Sequence, residues 1–131
     1  MEKLRQLLAG DAFAARSGVE LVEVRPGYAK ARMEVTPDHL NAGGVCQGGA
    51  LFTLADLAFA AVANSCGRLT LSLGANITFL RSVAQGWVTA EAVEVFAHPR
   101  VPYVEVRLTD EDGQLVAVLT SSGYRKSSSS T

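Results

Sequence analysis

Cysteine is scarce in this chain. Only Cys46 and Cys66 occur, twenty residues apart and with no C-x-x-C pair. That excludes a disulfide scaffold and a zinc site of ordinary ligand spacing. One bridge between them stays open on sequence alone; the expectation is two free, buried thiols in a reducing compartment. An excess of basic charge is also missing. The 12 Lys plus Arg against 13 Asp plus Glu give a formal net charge of -1, and general nucleic-acid binders are basic, so no such partner is expected. Long apolar runs are absent. The most apolar stretch, Ala50 to Ala63, is fourteen residues long and is broken by Thr53 and Asp56, too short and too polar to span a bilayer. The opening Met1-Glu-Lys-Leu-Arg-Gln-Leu-Leu mixes charges with leucines, unlike the apolar core of a signal peptide, so a cytoplasmic protein is expected. Core material is plentiful: 48% of the 131 residues are hydrophobic and 19% charged. That suits one folded domain and leaves no room for a second.

Along the chain, Leu4, Leu7 and Leu8 recur at helical spacing. Val19 to Val24 has strand composition, and Arg25-Pro26-Gly27 signals a turn. Tyr28 to Thr36 alternates, with Ala29, Ala31, Met33 and Val35 on one side and Lys30, Arg32 and Glu34 on the other. That is the pattern of a half-buried antiparallel strand. A glycine-rich connection then leads to an Ala/Leu/Phe stretch from Gly48 to about Cys66. It reads as one helix of about 27 Å. The helix is apolar on every side, which predicts burial all round, and Gly67 is placed to end it. Four strand-like segments follow: Leu69–Phe79, Trp87–Ala97, Tyr103–Thr109 and Leu115–Tyr124. A change of phase between Ala92 and Val95 predicts a bulge, and Asp110-Glu-Asp-Gly113 predicts a hairpin turn. The order fits an α+β domain in which a curved antiparallel sheet wraps around one long central helix. The domain is expected over residues 1–126, with Ser127 to Thr131 as a Ser-rich flexible tail.

Asp56 is the only charged residue between Gly49 and Arg68, two turns inside this helix. An unpaired buried carboxylate is costly. It is therefore either satisfied locally, by Thr53 or Asn64, or set on a helix edge that meets solvent, or it belongs to a site. The helix opens on Gly48-Gly49, whose free N–H groups lie at the positive end of the helix dipole and suit an anion or a developing oxyanion. The two features are about 10–12 Å apart along one axis. A second copy with its helix antiparallel would bring one chain's Gly48 near the other's Asp56, which predicts a dimer with shared sites.

His39-Leu-Asn41, Gly44, Gln47-Gly-Gly49 and Leu54-Ala-Asp56 together resemble the pattern of the hotdog-fold acyl-CoA thioesterases of the phenylacetic-acid-pathway (PaaI-like) type: H-x-N, a glycine-rich loop, H-G-G, then L-x-D on the central helix. Asn76-Ile-Thr-Phe-Leu-Arg81 is similar to that family's N-x-x-(Phe/Tyr)-x-(Arg/Ser) strand. The resemblance covers about residues 12–125. It implies a hotdog fold and hydrolysis of an acyl-CoA thioester to free acid and CoA, with no bound cofactor or metal. It also implies a homodimer with shared sites, often paired into a homotetramer. By position, Asp56 would be general base or nucleophile, and the Gly48 N–H would polarise the thioester carbonyl. Asn41 would help place that carbonyl or the attacking water, and Ser72 would orient the nucleophile. Gln47, Gly49, Asn76 and Arg81 fall on binding positions.

This sequence departs from the pattern twice. Gln47 stands where the family usually has His; its amide can hydrogen-bond but cannot titrate. Ser82 replaces a common Pro after Arg81. Arg100 and His98, with Arg81, are candidates for the phosphates of CoA. An aryl or arylacetyl-CoA is the substrate implied by the resemblance, with Phe52, Phe59 and Phe79 as possible pocket walls. Three other readings stand beside hydrolysis. A hotdog dehydratase or hydratase would pair a loop His with the helix acid, and here the nearest is His39. A nucleophilic Cys46 would need His39 as its base. A non-catalytic acyl-CoA-binding module would tend to lack the helix carboxylate.

Overall fold

A computed structural model of the chain describes residues 1–126, so the expected tail at Ser127–Thr131 lies outside the described residues. Two short helices open the chain. Helix α1 spans Glu2–Ala9 and buries Leu4. Helix α2, Ala12–Arg16, is capped by Asp11, whose carboxylate accepts the Ala14 N–H at 3.0 Å. The sequence reading did not anticipate α2, although an Asp followed by alanines is an N-cap signal.

Strands β1 (Val19–Arg25) and β2 (Tyr28–Val35) form the first hairpin. The long helix α3 spans Gly48–Ala63. It is followed by β3 (Thr70–Phe79), β4 (Gly86–Phe96), β5 (Tyr103–Thr109) and β6 (Leu115–Arg125). These make one six-stranded sheet in the order β1-β2-β4-β5-β6-β3, with every pairing antiparallel. The expected bulge lies at Glu94/Phe96. The expected hairpin turn closes with the Gly113 N–H on the Asp110 carbonyl at 3.0 Å, Gly113 taking a φ of +79° that favours glycine.

Helix α3 lies across the inner face of the sheet. Register sets Ala29 opposite Ala92 and Ala31 opposite Ala90. All four are fully buried, and such small side chains give α3 room to approach. Met33, Val88, Val104, Val106, Leu108 and Leu119 surround this floor and meet Leu54, Leu57, Ala58 and Val62 from the helix.

Three expectations need correction. First, α3 stops at Ala63, short of Cys66. Asn64 donates its side-chain N–H to the Ala60 carbonyl at 2.8 Å, and the Ser65 hydroxyl takes the Val62 carbonyl at 2.7 Å. Such side chains compete with the helical ladder. Gly67, φ +85°, completes the turn that follows. Second, Cys66 is exposed rather than buried; both cysteines are free. Third, α3 is not covered all round in the single chain. Gly49 and Asp56 are exposed and Phe52, Thr53 and Ala60 half-buried, and these residues make one stripe along the helix. Beside this open stripe stands β3, one of the sheet's two edge strands, exposed along nearly its whole length.

Candidate active site

The loop before α3 is pinned at many points. His39 accepts the Thr36 N–H on Nδ1 at 2.9 Å and, on Nε2, donates to the Ser17 carbonyl at 2.6 Å. The His39 carbonyl takes the Gln47 N–H at 2.8 Å, and the Val83 carbonyl takes the Cys46 N–H at 2.7 Å. Asn41 organises the loop between these anchors. Its Oδ1 accepts the N–H groups of Gly43 at 2.9 Å and Val45 at 3.3 Å. Asn41 therefore holds the glycine turn with its carbonyl oxygen, and its Nδ2 has no partner among the described residues.

Gln47 is the N-cap of α3, but its side chain makes no capping bond. The Gln47 carbonyl accepts from Ala50 at 3.0 Å and Leu51 at 3.3 Å. The N–H groups of Gly48 and Gly49 have no partner among the described residues, so the positive end of the helix is open. A side chain at either glycine would have to push aside a neighbouring side-chain tip. A Cβ on Gly49 would lie 2.7 Å from the Gln47 Oε1, and one on Gly48 would lie 2.8 Å from the Phe79 Cζ.

Asp56 lies two turns on, on the open stripe. Protein packed around the carboxyl, and secondarily the negative charge of Asp11, push its pKa above the ordinary carboxylate value. The side chain is nonetheless exposed in the single chain. That corrects the buried acid expected from sequence: α3's apolar surroundings reach its stem but leave its tip open. No described residue hydrogen-bonds to it. The Thr53 hydroxyl donates to the Gly49 carbonyl at 2.8 Å, and Asn64 is engaged with Ala60 and Thr70, so neither local partner considered from sequence satisfies the acid.

The other residues scatter. Ser72 pairs with Gly123 and faces the helix side of the sheet, exposed, toward the C-terminal end of α3, where the nearby Thr70 hydroxyl donates to the Ala63 carbonyl at 2.8 Å. Asn76 pairs with the outward Thr120, so it lies on the opposite face and is not brought to the α3 side. Arg81 is exposed just past β3, its N–H on the Val116 carbonyl at 3.1 Å. Nearby, Phe79 lies against Gly48 at the start of α3, and Val83 holds Cys46 just before it. Arg100 lies at the other end of that helix. Its carbonyl takes the Arg125 N–H at 2.7 Å, and Arg125 itself reaches the Ala63 carbonyl at 3.3 Å. The two arginines are thus separated by the length of α3, about 24 Å, and do not form one patch within a chain. His98 fixes the Arg100 loop by accepting the Arg100 and Val101 N–H groups at 3.0 and 2.9 Å.

Sequence reasoning missed two features. One is the buried pair Arg125–Glu94 at 3.2 Å, their side chains 8% and 13% exposed, beneath the C-terminal end of α3. No spacing in the sequence signals it. The other is a groove of about 590 Å³ bordered by Phe13, His39, Gln47, Gly49, Thr53 and Trp87. The Cys46 alternative loses its base, because both His39 nitrogens are engaged. Burial also pushes the Cys46 thiol up, away from the reactive thiolate.

Six antiparallel strands curved around one central helix, with a Gly-Gly start and an acid two turns on, define the hotdog thioesterase class. The chain belongs to the thioesterase superfamily, whose family model matches residues 43–117. It is 31% identical over 116 residues to the acyl-coenzyme A thioesterase PaaI of Escherichia coli, a match covering 88% of this chain and 83% of that protein. Among solved structures it resembles a single-site mutant of the phenylacetic acid degradation protein PaaI from Thermus thermophilus. That match has a TM-score of 0.84 and 35% identity, over 88% of this chain and all (100%) of that one. It is also similar to the smu.793 protein of Streptococcus mutans bound to acetyl-CoA, with a TM-score of 0.78 and 26% identity over 82% and 88% of the two chains. These likenesses make it a PaaI-like thioester hydrolase. No helix among the described residues is long and apolar enough to cross a membrane.

Proposed function

We propose that this protein hydrolyses acyl-CoA thioesters to free acid and coenzyme A, preferring aryl or arylacetyl groups, in a cytoplasmic homodimer with shared sites. The observation that carries the reading is helix α3 itself. Its first two N–H groups are open, and Asp56 stands on the same uncovered stripe. Within one chain they are about 12 Å apart, too far for one thioester carbonyl to meet both. An antiparallel partner helix on the stripe brings each Asp56 to the other chain's Gly48. Strand β3 supports this arrangement: it is an edge strand with Leu71 and Leu73 exposed, the kind of edge that recruits a second strand.

In the proposed reaction, the thioester carbonyl oxygen sits on the Gly48 N–H. Water attacks the carbonyl carbon and gives a proton to Asp56 of the partner subunit. The C=O opens to an oxyanion held by the helix terminus, and its collapse breaks the C–S bond. The leaving thiol has a pKa near 8.5, so it departs as thiolate without a strong acid. Direct attack by the Asp56 carboxylate, followed by hydrolysis of the anhydride, uses the same geometry. Ser72 faces the helix side and can orient the water. Asn41 shapes the loop and keeps a free amide N–H for the carbonyl; Gln47 and Gly49 line its approach. Arg81 and Arg100 serve the phosphates of CoA, one from each chain. Asn76 acts through strand β3 rather than by substrate contact. Exposed Phe96, Tyr103 and Tyr124 on the outer side of the sheet support pairing of dimers into a tetramer, and the PaaI relatives suggest a role in phenylacetic acid degradation.

Dehydration is disfavoured because His39 has no free ring nitrogen. A purely binding role would leave the open Gly48–Asp56 pair unexplained. The test is free-thiol release over a panel of acyl-CoAs by the native protein and by Asp56→Ala and Asp56→Asn. Hydrolysis by the native protein and loss in both variants is expected. Full activity in both variants would refute the mechanism, and binding without thiol release would favour the binding-module reading.

A further inference from the structure

Phe79 is unusual among the large apolar residues. It faces the helix side of the sheet and yet remains 50% exposed. The tip of its ring points at Gly48. A Cβ built there would meet Cζ at 2.8 Å and the two Cε atoms at 3.3 Å each. Cα–Cβ bonds of a helix tilt toward its N-terminus, the end to which the free Gly48 N–H also points. The uncovered part of the ring is therefore an apolar surface beside the proposed oxyanion position. Of the other two phenylalanines considered as pocket walls, Phe59 is sealed in the core at 3% exposure. Phe52 is half-buried one turn beyond Gly48.

We infer that Phe79 is the specificity-determining residue of the site: its exposed ring face receives a planar aryl group two or three bonds from the thioester carbonyl and so favours arylacyl over small acyl groups. The inference rests on the proposed thioesterase reading. An acyl group whose carbonyl oxygen sits on the Gly48 N–H extends along this ring. Aromatic pairs gain in offset or edge contacts beyond simple burial, whereas an acetyl group offers the ring no more than a methyl.

The test compares phenylacetyl-CoA with acetyl-CoA in free-thiol release by the full chain, Phe79→Ala and Phe79→Leu. The ratio of the two kcat/KM values should fall about tenfold in Phe79→Ala and by less in Phe79→Leu, which keeps apolar bulk on the strand and guards against loss of the fold. An unchanged ratio in both folded variants overturns the inference. Should the native protein cleave neither substrate, the function reading fails and Phe79 is judged by affinity. Calorimetry with uncleavable thioether analogues should then show Phe79→Ala weakening the phenyl-bearing analogue about tenfold more than the methyl-bearing one. Equal weakening overturns the inference there too.

Discussion

Gly48→Ala isolates the contact between the start of α3 and strand β3. The substitution keeps the backbone N–H and adds one methyl group. That methyl would lie 2.8 Å from the Phe79 Cζ, where ordinary carbon contacts begin at about 3.5 Å. The ring must retreat by about 0.7 Å. Because it is half exposed and ends a rotatable side chain, the retreat costs a rotamer deviation of about 1 kcal/mol. Replacing glycine in a helix returns up to about 1 kcal/mol, so stability should hardly change and the Tm should stay within about 4 °C. Activity should change. The added methyl and the displaced ring crowd the thioester beside the free N–H; misplacement of a reacting group by about 1 Å can cost about a hundredfold, and a tenfold or larger fall in kcat/KM is expected for Gly48→Ala. The same substitution made in Phe79→Ala should cost much less, because the clash is gone. Thiol release together with thermal unfolding of the four proteins completes the cycle. Additive losses, or a Gly48→Ala protein with full activity, would refute the reasoning.

The remaining predictions concern charge. Asp56 must be ionised to take a proton, and its pKa is raised by burial and by Asp11. Hydrolysis should therefore fall with decreasing pH at a value above the ordinary carboxylate range. Asp11→Asn, which still caps α2, should move that limb of the kcat/KM profile to lower pH; an unmoved limb would contradict the coupling. A carboxyl whose folded pKa is raised binds its proton more tightly folded than unfolded, so the ionised group opposes folding at neutral pH and ceases to do so below the unfolded pKa. Asp56→Asn should accordingly raise the Tm at pH 7 while losing activity, with the gain shrinking on acidification. Glu94→Gln leaves Arg125 buried without its carboxylate and should lower stability by about 3–5 kcal/mol in denaturant unfolding; a loss below 1 kcal/mol would show the pair to be dispensable. Arg100→Glu should raise KM for an acyl-CoA much more than for the matching acyl-pantetheine, and equal effects would dismiss its role at the phosphates.

Much of the fold was legible because its signals were local. Strict alternation marked β2 and β5, and the phase break near Val95 marked the bulge. The aliphatic run before Asn64 marked α3. Strand order was not legible: nothing local indicates that β3 leaves its sequence neighbours to pair with β6 at the edge. At the site, Gly48 and Asp56 could be found because each breaks a rule of ordinary helices. The place of Asn76 on the outer face depends on register with β6, and the separation of Arg81 from Arg100 depends on which helix end each loop meets. Phe79 against Gly48 and Arg125 against Glu94 are tertiary contacts across long sequence distances, for which one sequence holds no signal.

The claim that each active site is built from two chains is tested most directly by subunit mixing. Gly48→Pro removes the oxyanion N–H at the first helical position, where proline is tolerated; its Cβ, like that of alanine, displaces the tip of the Phe79 ring, and Asp56 stays intact. Asp56→Ala does the reverse. Each homodimer should be inactive. Unfolded together and refolded at equal concentration, they should form hybrid dimers as about half of all dimers, each with one complete site, and recover about a quarter of native thiol release. A refolded mixture no more active than the two variants measured separately would contradict the shared site.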